Sequence, residues 1–220
     1  MGLFEILKGE QPGIITSLLH YRNVGQYGEY LTEYALTAGD LVVLKNVYVP
    51  TGNKTTEIDM LMIHEKGIFV IESKNYSGWI FGDYNQLNWT QSFPNGEKHK
   101  FYNPIKQNRT HIKALAEYLG KPMSEFMSYI VFSERCTLKK VPPDTSDVII
   151  VRRPHMLKRL RSQIDSMPVK YTHDEIVAMK DKLTNLTNKS TAEKKQHIEN
   201  IKTKCPFCGR ELVKRNGKYG

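Results

Sequence analysis

The first clear pattern of hydrophobic and polar positions predicts three strands in succession. Residues 41–49 are mostly apolar and are followed by turn residues. Residues 60–63 and 68–71 are two further apolar, partly β-branched runs, separated by the sequence EKG at residues 65–67. This arrangement predicts a hairpin with a loop of two or three residues, in which Gly67 is able to take a positive φ.

Apolar residues at helical spacing predict four helices. The first has its apolar stripe within residues 27–35 and ends near Gly39. The second begins with Asn103 as its N-cap and Pro104 at its first helical position, and it ends at Gly120. Two more helices are expected at residues 155–164 and 174–186.

Three short apolar segments predict strands outside the hairpin, at residues 79–81, 128–132 and 148–151. We expect residues 79–81 to extend the sheet that the hairpin begins. The order of strands and helices predicts an α/β sandwich, in which a mixed β-sheet is flanked by helices.

The character of the chain changes near both ends. Residues 1–24 form a weakly amphipathic lead-in, and residues 25–187 contain the predicted strands and helices. Residues 188–204 are polar and rich in lysine without a strong apolar face, which is typical of a linker. Residues 205–220 contain a Cys-x-x-Cys motif and are expected to form a small separate unit.

Composition and charge narrow the class of protein. A chain of 220 residues can bury one sizeable core, and 40% hydrophobic with 25% charged residues describes a soluble globular protein. There are 32 basic and 23 acidic side chains, a formal net charge of +9. From Lys189 onward nine Lys or Arg stand against three Glu, so this tail contributes +6. The excess of positive charge favours a polyanionic partner such as nucleic acid.

The sequence gives no indication of a membrane or secreted protein. No apolar run reaches the roughly 18 residues that a membrane span requires, and the start lacks the pattern of a secretory signal. Three cysteines, two of them in one Cys-x-x-Cys motif, favour a reducing compartment over a disulfide framework. We therefore expect a cytoplasmic protein without a membrane partner.

Three charged residues lie near one end of the predicted hairpin. Folding the hairpin brings Asp59 beside Glu72 and Lys74, and the last two share a face because they are two residues apart. Two carboxylates can hold Mg²⁺ through oxygen, and a nearby lysine can stabilise charge on phosphorus or help to position and deprotonate a water. The alternative is that all three are surface charges at strand ends, because so short a pattern often arises by chance.

Four sequence blocks in a fixed order distinguish between these interpretations. They are GQYGE at residues 25–29, EID at 57–59, IESKNYSG at 71–78 and NPIKQ at 103–107. Together they resemble the nuclease-related domain (NERD) family, which is assigned to the PD-(D/E)xK nuclease superfamily. The resemblance spans residues 25–132 and implies a restriction-endonuclease-like fold with a mixed β-sheet.

The resemblance also implies roles for individual residues. Asp59 and Glu72 would bind Mg²⁺ or Mn²⁺, and Lys74 would be the catalytic lysine. Glu29 would supply a further metal contact or orient a water, and Gln107 would contact substrate or support the site. The implied reaction is hydrolysis of a nucleic-acid phosphodiester, with DNA as the expected substrate and a metal-bound water as nucleophile. The residue before Asp59 is isoleucine instead of the proline in the superfamily name, and we give this difference little weight.

The C-terminal segment carries a second motif. The sequence CPFCG at residues 205–209 is typical of a zinc knuckle, and residues 205–220 resemble the first half of the zinc ribbon of bacterial type I topoisomerases. Cys205 and Cys208 would supply two of the four ligands that structural Zn²⁺ requires, and no second cysteine pair follows. Three alternatives remain open: a longer natural protein, a truncated relative without stable Zn²⁺, or Zn²⁺ shared by two chains. We favour the first two.

Three classes of function are compatible with the sequence. The favoured one is a metal-dependent nuclease in DNA processing. The second is a non-catalytic nucleic-acid-binding or recruitment module that retains the nuclease fold and binds through its basic tail and C-terminal ribbon. The third and weakest is a protein-interaction domain that binds no nucleic acid.

Overall fold

The structure is a computed structural model that describes residues 41–52 and 54–187. The predicted lead-in, the helix expected near residues 27–39, the linker and the zinc-ribbon segment lie outside this range. The described strands are β1 (Leu41–Thr51), β2 (Lys54–His64), β3 (Gly67–Lys74), β4 (Gly78–Phe81), β5 (Asn88–Ser92), β6 (Lys98–Tyr102), β7 (Phe126–Phe132), β8 (Cys136–Lys140) and β9 (Val148–Arg152). The described α-helices are α1 (Pro104–Leu119), α2 (Arg153–Ser166) and α3 (His173–Thr184), and a short 3₁₀ helix covers Met123–Glu125.

A five-stranded mixed sheet forms the centre of the described structure, in the order β1-β2-β3-β7-β9. The first three strands are antiparallel, whereas β3, β7 and β9 run parallel. The central strands β3 and β7 are almost wholly buried because helices cover both faces of the sheet. The predicted α/β class with a mixed sheet flanked by helices is therefore confirmed.

The predicted hairpin is formed by β2 and β3, with a loop of two residues between the paired His64 and Gly67. The expected positive φ at Gly67 is wrong, because Gly67 is absent from the positive-φ residues of the described chain. A glycine is instead favoured because there is little room for a side chain: a Cβ at this position would lie 2.8 Å from Met167 Cε. Gly67 therefore allows the close approach of the segment that follows α2.

Helix α1 has the predicted ends. The Asn103 side chain accepts hydrogen bonds from the backbone N–H groups of Ile105 and Lys106, and Gly120 ends the helix with φ 68°. Helices α1 and α3 pack on one face of the sheet, around side chains that include Val70, Leu115 and Met179. The opposite face is covered by α2, whose apolar residues Met156, Leu160 and Ile164 contact Phe69 and Tyr129 within one cluster.

A second sheet has the order β6-β5-β4-β8. The expectation that residues 79–81 extend the first sheet is therefore wrong. Strand β3 already pairs with β2 on one side and β7 on the other, so β4 has no free edge of β3 to join. Gly78, with φ 75°, begins β4, and the apolar side chains of Ile80 and Trp89 pack with Phe132 beside the first sheet. Strand β8 was not predicted from the sequence because its five residues include three polar ones.

No helix among residues 41–52 and 54–187 is long and apolar enough to cross a membrane.

Candidate functional site

The candidate site lies where β2 and β3 separate. Their pairing ends at Met60 and Ile71; beyond that point β2 continues beside β1, and β3 continues beside β7. Asp59 is the first β2 residue beyond the last pair, and its Oδ2 accepts a hydrogen bond from the Ser73 N–H at 2.8 Å. At this point, where the β2–β3 pairing ends, the Asp59 carboxylate accepts the hydrogen bond that a backbone carbonyl of β2 would otherwise accept. Asn46, with φ 51°, lies on β1 at the same level, so the sheet is locally irregular here.

Glu72, Lys74 and Gln107 form a contiguous polar group beside this fork. Lys74 Nζ lies 2.7 Å from Glu72 Oε1 and donates a hydrogen bond to Gln107 Oε1 at 2.9 Å. The side chains of Glu72 and Lys74 are only 3% and 15% exposed. These two residues share a face of β3, as their spacing predicts, and Gln107 reaches them from the first turn of α1. The structure therefore brings together the four described residues that the sequence selected: Asp59, Glu72, Lys74 and Gln107.

His111 extends the group in the other direction, and sequence reasoning did not select it. Its Nε2 lies 3.2 Å from Glu72 Oε2, and its Nδ1 lies 2.6 Å from Thr56 Oγ1. The histidine is one helical turn after Gln107, so this spacing on a predicted helix was the signal that could have found it. The contact with Thr56 joins residues 55 positions apart, which no local pattern indicates.

Asn108 holds α1 against the sheet next to the site. Its side chain is fully buried and donates hydrogen bonds to the Val70 carbonyl at 2.9 Å and to Ser128 Oγ at 2.8 Å. Gln107 and His111 lie on the same helix. This anchor therefore fixes the position of α1 on the sheet, from which Gln107 contacts Lys74 and His111 contacts Glu72. This role was not predicted, because an asparagine within a helix carries no local signal of a buried contact.

The two carboxylates have opposite pKa shifts. Burial and the nearby charge of Glu72 raise the pKa of Asp59 to about 6, against the lowering effects of Ser73 N–H, Lys74 and His111. Burial also acts to raise the pKa of Glu72, but its contacts with His111 and Lys74 outweigh burial, so that pKa lies below its ordinary value. At neutral pH Glu72 is therefore firmly ionised, whereas Asp59 carries its charge in an environment that opposes it.

The donor set fits a hard divalent cation with few protein ligands. Glu72 Oε2 is buried and has no hydrogen-bond partner among the described residues, although His111 Nε2 lies within ion-pair distance at 3.2 Å. A buried acceptor of this kind, beside a second carboxylate whose charge is disfavoured, suits a cation. Within the described residues, no group of three or more His, Cys, Asp or Glu is arranged to hold a metal. Two carboxylates with waters and a phosphate are nevertheless a common way to bind Mg²⁺.

Other predicted site residues lie outside the described part of the chain. Glu29, Cys205 and Cys208 belong to this group. Tyr76 packs on Phe101, with ring centroids 4.4 Å apart, so it belongs to an apolar cluster. Cys136 is buried and donates its S–H to the Ser133 carbonyl, in agreement with a structural role.

Comparisons with known proteins place these residues in a family context. The family model of the nuclease-related domain matches residues 24–133, a range that includes the fork between β2 and β3, all of α1, and β7. An uncharacterized protein of Bacillus anthracis is 33% identical over 199 residues, which cover 89% of this chain and 82% of that protein. The search of solved structures gave no significant match.

Proposed function

Because the chain belongs to the nuclease-related domain family, we propose that it is a metal-dependent nuclease that hydrolyses phosphodiester bonds of nucleic acid, with DNA as the expected substrate. The family indicates a nuclease-related function. The observation that supports the finer chemistry is the convergence of Asp59, Glu72 and Lys74 at the fork between β2 and β3. A buried cluster of two acids and a lysine is costly to maintain in a fold and therefore points to a chemical use.

Lys74 is the group that we assign to charge stabilisation. Its ammonium is held by Glu72 Oε1 at 2.7 Å and Gln107 Oε1 at 2.9 Å, which leaves the third N–H available to a substrate oxygen. A positioned cation in a water-poor site stabilises negative charge that develops on a phosphate oxygen. Gln107 would act by orienting Lys74, and His111 by orienting Glu72.

Asp59 and Glu72 are the residues that would hold Mg²⁺ or Mn²⁺. When bound, the metal would act as a Lewis acid on phosphate and lower the pKa of a coordinated water. Its positive charge would offset the burial and the repulsion from Glu72, which together raise the pKa of Asp59. Binding of the metal is therefore expected to favour the doubly ionised pair.

We extend the proposal to the restriction-endonuclease-like, PD-(D/E)xK type of site. A mixed sheet supports it, with Asp59 on the second strand and the Glu72-x-Lys74 pair on the third. Glu29 is proposed as a further acid of the same site. We also propose that residues 25–187 form the nuclease-related domain, that residues 188–204 are a basic linker, and that Cys205 and Cys208 form half of a zinc site in residues 205–220.

The proposal is tested by cleavage of single- and double-stranded DNA and RNA with Mg²⁺ or Mn²⁺. The wild-type protein is compared with Asp59→Asn and Lys74→Met, which keep the size of each side chain. We expect cleavage by the wild type, its loss with EDTA, and a fall of about 10²-fold or more in each variant, the effect of removing one charge-stabilising group. Equal cleavage by wild type and variants would identify a contaminant and overturn the proposal.

Matched controls remove the same charges far from the fork. Asp181→Asn and Lys180→Met alter exposed residues of α3. Both are expected to cleave at the wild-type rate, so a loss confined to the fork variants assigns the reaction to this site.

One observation favours the non-catalytic alternative. Glu72 neutralises Lys74 at 2.7 Å and also contacts His111, so the charged groups can satisfy one another without a metal or substrate. In a recruitment module of this kind, nucleic acid would bind in EDTA and the bound strand would stay intact after Mg²⁺ or Mn²⁺ is added. Binding would also survive Asp59→Asn. That combination of results would replace the nuclease assignment.

A further inference from the structure

The second sheet has one face whose side chains are exposed or half-buried, with the buried Ser92 as the exception. Two rows of side chains cross it, because paired residues on neighbouring strands share a face. One row contains Lys98, Ser92, Trp79 and Thr137, and the next contains Lys100, Thr90, Phe81 and Lys140. We call these two rows the outer face. Among the alternating residues, Ile80 and Trp89 are fully buried and pack with Phe132 of the first sheet.

The outer face is basic. Lys98, Lys100 and Lys140 are exposed, and none forms a salt bridge with a described residue. Lys139 is the extra residue at the irregularity between Leu138 and Lys140, and its Nζ lies 5.6 Å from the centre of the Trp79 ring. The two rows contain no Asp or Glu. This charge pattern is complementary to a phosphate backbone.

The acid that directly precedes β6 is paired with a residue of the opposite face. His99 alternates with Lys98 and Lys100 along β6, so its side chain leaves the opposite face of the strand. Its Nε2 lies 2.8 Å from Oε1 of Glu97. The three lysines of the two rows thus share their face with no acidic residue of those rows.

Trp79 gives the same face an aromatic surface. Its side chain is 37% exposed, whereas Trp89, the other tryptophan, is fully buried and supplies the core of this sheet. Phe81 lies on the same face of β4, two residues further along. An exposed indole among lysines can stack with a nucleobase while the ammonium groups contact phosphates.

The outer face is connected to the candidate active site by a short segment. Lys74 ends β3, and Trp79 follows it by five residues, which span at most about 17 Å of extended chain. We propose that the outer face binds single-stranded nucleic acid, with Trp79 stacking on a base and Lys98 and Lys100 contacting the backbone. This inference deepens the proposed function, because it assigns the strand that flanks the cleaved phosphodiester to a defined surface.

A single strand fits this surface better than a duplex. The face of a base is available to Trp79 only when the base is unpaired and unstacked from its neighbours. The polar groups of the outer face are mostly ammonium groups, which bind phosphate without reading a base edge. The surface is therefore expected to bind with little sequence preference and with strong dependence on salt.

The test measures binding of a fluorescently labelled 20-nucleotide oligo-dT in EDTA, where no metal-dependent cleavage takes place. The variants are Trp79→Ala, Trp79→Phe and the double variant Lys98→Ala/Lys100→Ala. We expect Trp79→Ala to weaken binding by about tenfold and Trp79→Phe to retain most of the affinity, since a phenyl ring also stacks. The lysine double variant should reduce the slope of log K against log salt by about 1.4, for two lost contacts to a single strand.

The control is Lys180→Ala/Lys182→Ala, which removes two exposed lysines from α3 and should leave the salt slope unchanged. Binding should also quench Trp79 fluorescence in the wild type but leave the Trp89 signal of Trp79→Phe unaltered. Thermal unfolding at the wild-type temperature shows that each variant is folded. Equal affinity of folded Trp79→Ala and wild type, or tighter binding of a 20-bp duplex without quenching, would overturn the proposal. Since the assay needs no cleavage, it can fail or succeed independently of the nuclease assignment.

Discussion

The two ends of the β2–β3 hairpin are built from opposite kinds of residue. Toward the loop, Met60 to Ile63 pair with Ile68 to Ile71, and each of these side chains is at most 1% exposed. Beyond the last pair lie three charged residues: the buried Glu72 and the partly buried Asp59 and Lys74. The same two strands thus change from an apolar core to a charged cluster within a few residues.

The difference indicates which end stabilises the fold and which end is adapted to chemistry. Apolar burial contributes favourably at every pH, whereas buried charges must offset their desolvation through contacts with one another. Glu72 achieves this through Lys74 and His111, but Asp59 does so only in part, as its raised pKa shows. We infer that the loop end supplies stability and that at the forked end the charge of Asp59 reduces it.

The largest expected effect is loss of an aromatic side chain from the loop end. Phe69 is fully buried and packs edge-on against Tyr129, with ring centroids 6.0 Å apart. Phe69→Ala should lower the free energy of unfolding by about 3–5 kcal/mol, because it removes apolar contacts and leaves a cavity. Urea unfolding followed by circular dichroism measures the change. Phe69→Leu is the control and should lose clearly less; a loss below about 1 kcal/mol in Phe69→Ala would contradict the assignment.

At the forked end, removing a charge is expected to stabilise the protein. The raised pKa of Asp59 means that its neutral form is favoured in the folded state. The stabilisation that protonation gives is complete below about pH 4 and is lost as the pH rises through about 6. Asp59→Asn should therefore raise the free energy of unfolding at pH 8 by about 1–2 kcal/mol, a value reduced from the full shift because the side chain is only partly buried.

The measurement compares urea unfolding of the metal-free wild type and Asp59→Asn at pH 5 and pH 8. The gain should be larger at pH 8, while cleavage activity falls. Asp181→Asn, on the exposed side of α3, should change stability by less than about 0.5 kcal/mol at both pH values. A destabilised Asp59→Asn at pH 8 would show that the forked end also supports the fold.

These two regions also differ in how well the sequence predicted them. The loop end and α1 were predicted because their signals are local: apolar runs of strand length, an Asn-Pro helix start and a terminal glycine. Asp59, Glu72 and Lys74 were selected because the antiparallel strands of the predicted hairpin bring Asp59 and Glu72 together. His111 and Asn108 were not selected, since their contacts join α1 to strands tens of residues away.

The second sheet was mispredicted for a related reason. Residues 79–81 have the composition of a strand, but composition does not reveal which edge the strand joins. That choice depends on β7, which follows about 45 residues later and occupies the edge of β3. Parallel pairing between distant segments is set by tertiary packing, and a single sequence carries little information about it.

A smaller effect is expected where Thr56 supports the histidine of the forked end. Thr56 Oγ1 lies 2.6 Å from His111 Nδ1, and the His111 side chain is 9% exposed. Thr56→Val removes this hydrogen bond and leaves a buried ring nitrogen without it, so we expect a loss of about 1 kcal/mol in unfolding free energy. The measurement is urea unfolding of Thr56→Val, His111→Leu and the double variant.

Coupling between the two residues separates this contact from a general effect of the substitution. In the His111→Leu background, Thr56→Val should have almost no further cost. Thr110→Val is the matched control, because its hydroxyl bonds only the Lys106 carbonyl on the exposed side of α1, and it should lose less than about 0.5 kcal/mol. Additive effects of Thr56→Val and His111→Leu would show that the 2.6 Å contact does not stabilise the site.

The smallest effect is expected at the loop itself, where Gly67→Ala tests why the hairpin has a glycine. A Cβ at Gly67 would meet Met167 Cε at 2.8 Å, and this atom is the end of a flexible side chain that can move. Alanine also restricts the unfolded chain, so the two contributions nearly cancel and we expect a change within about 0.5 kcal/mol by urea unfolding. Gly120→Ala is the comparison, because φ is 68° there and an alanine should cost about 1 kcal/mol or more. If both substitutions cost the same, Gly67 would be required by the conformation of the hairpin backbone and not by the space that it leaves for Met167.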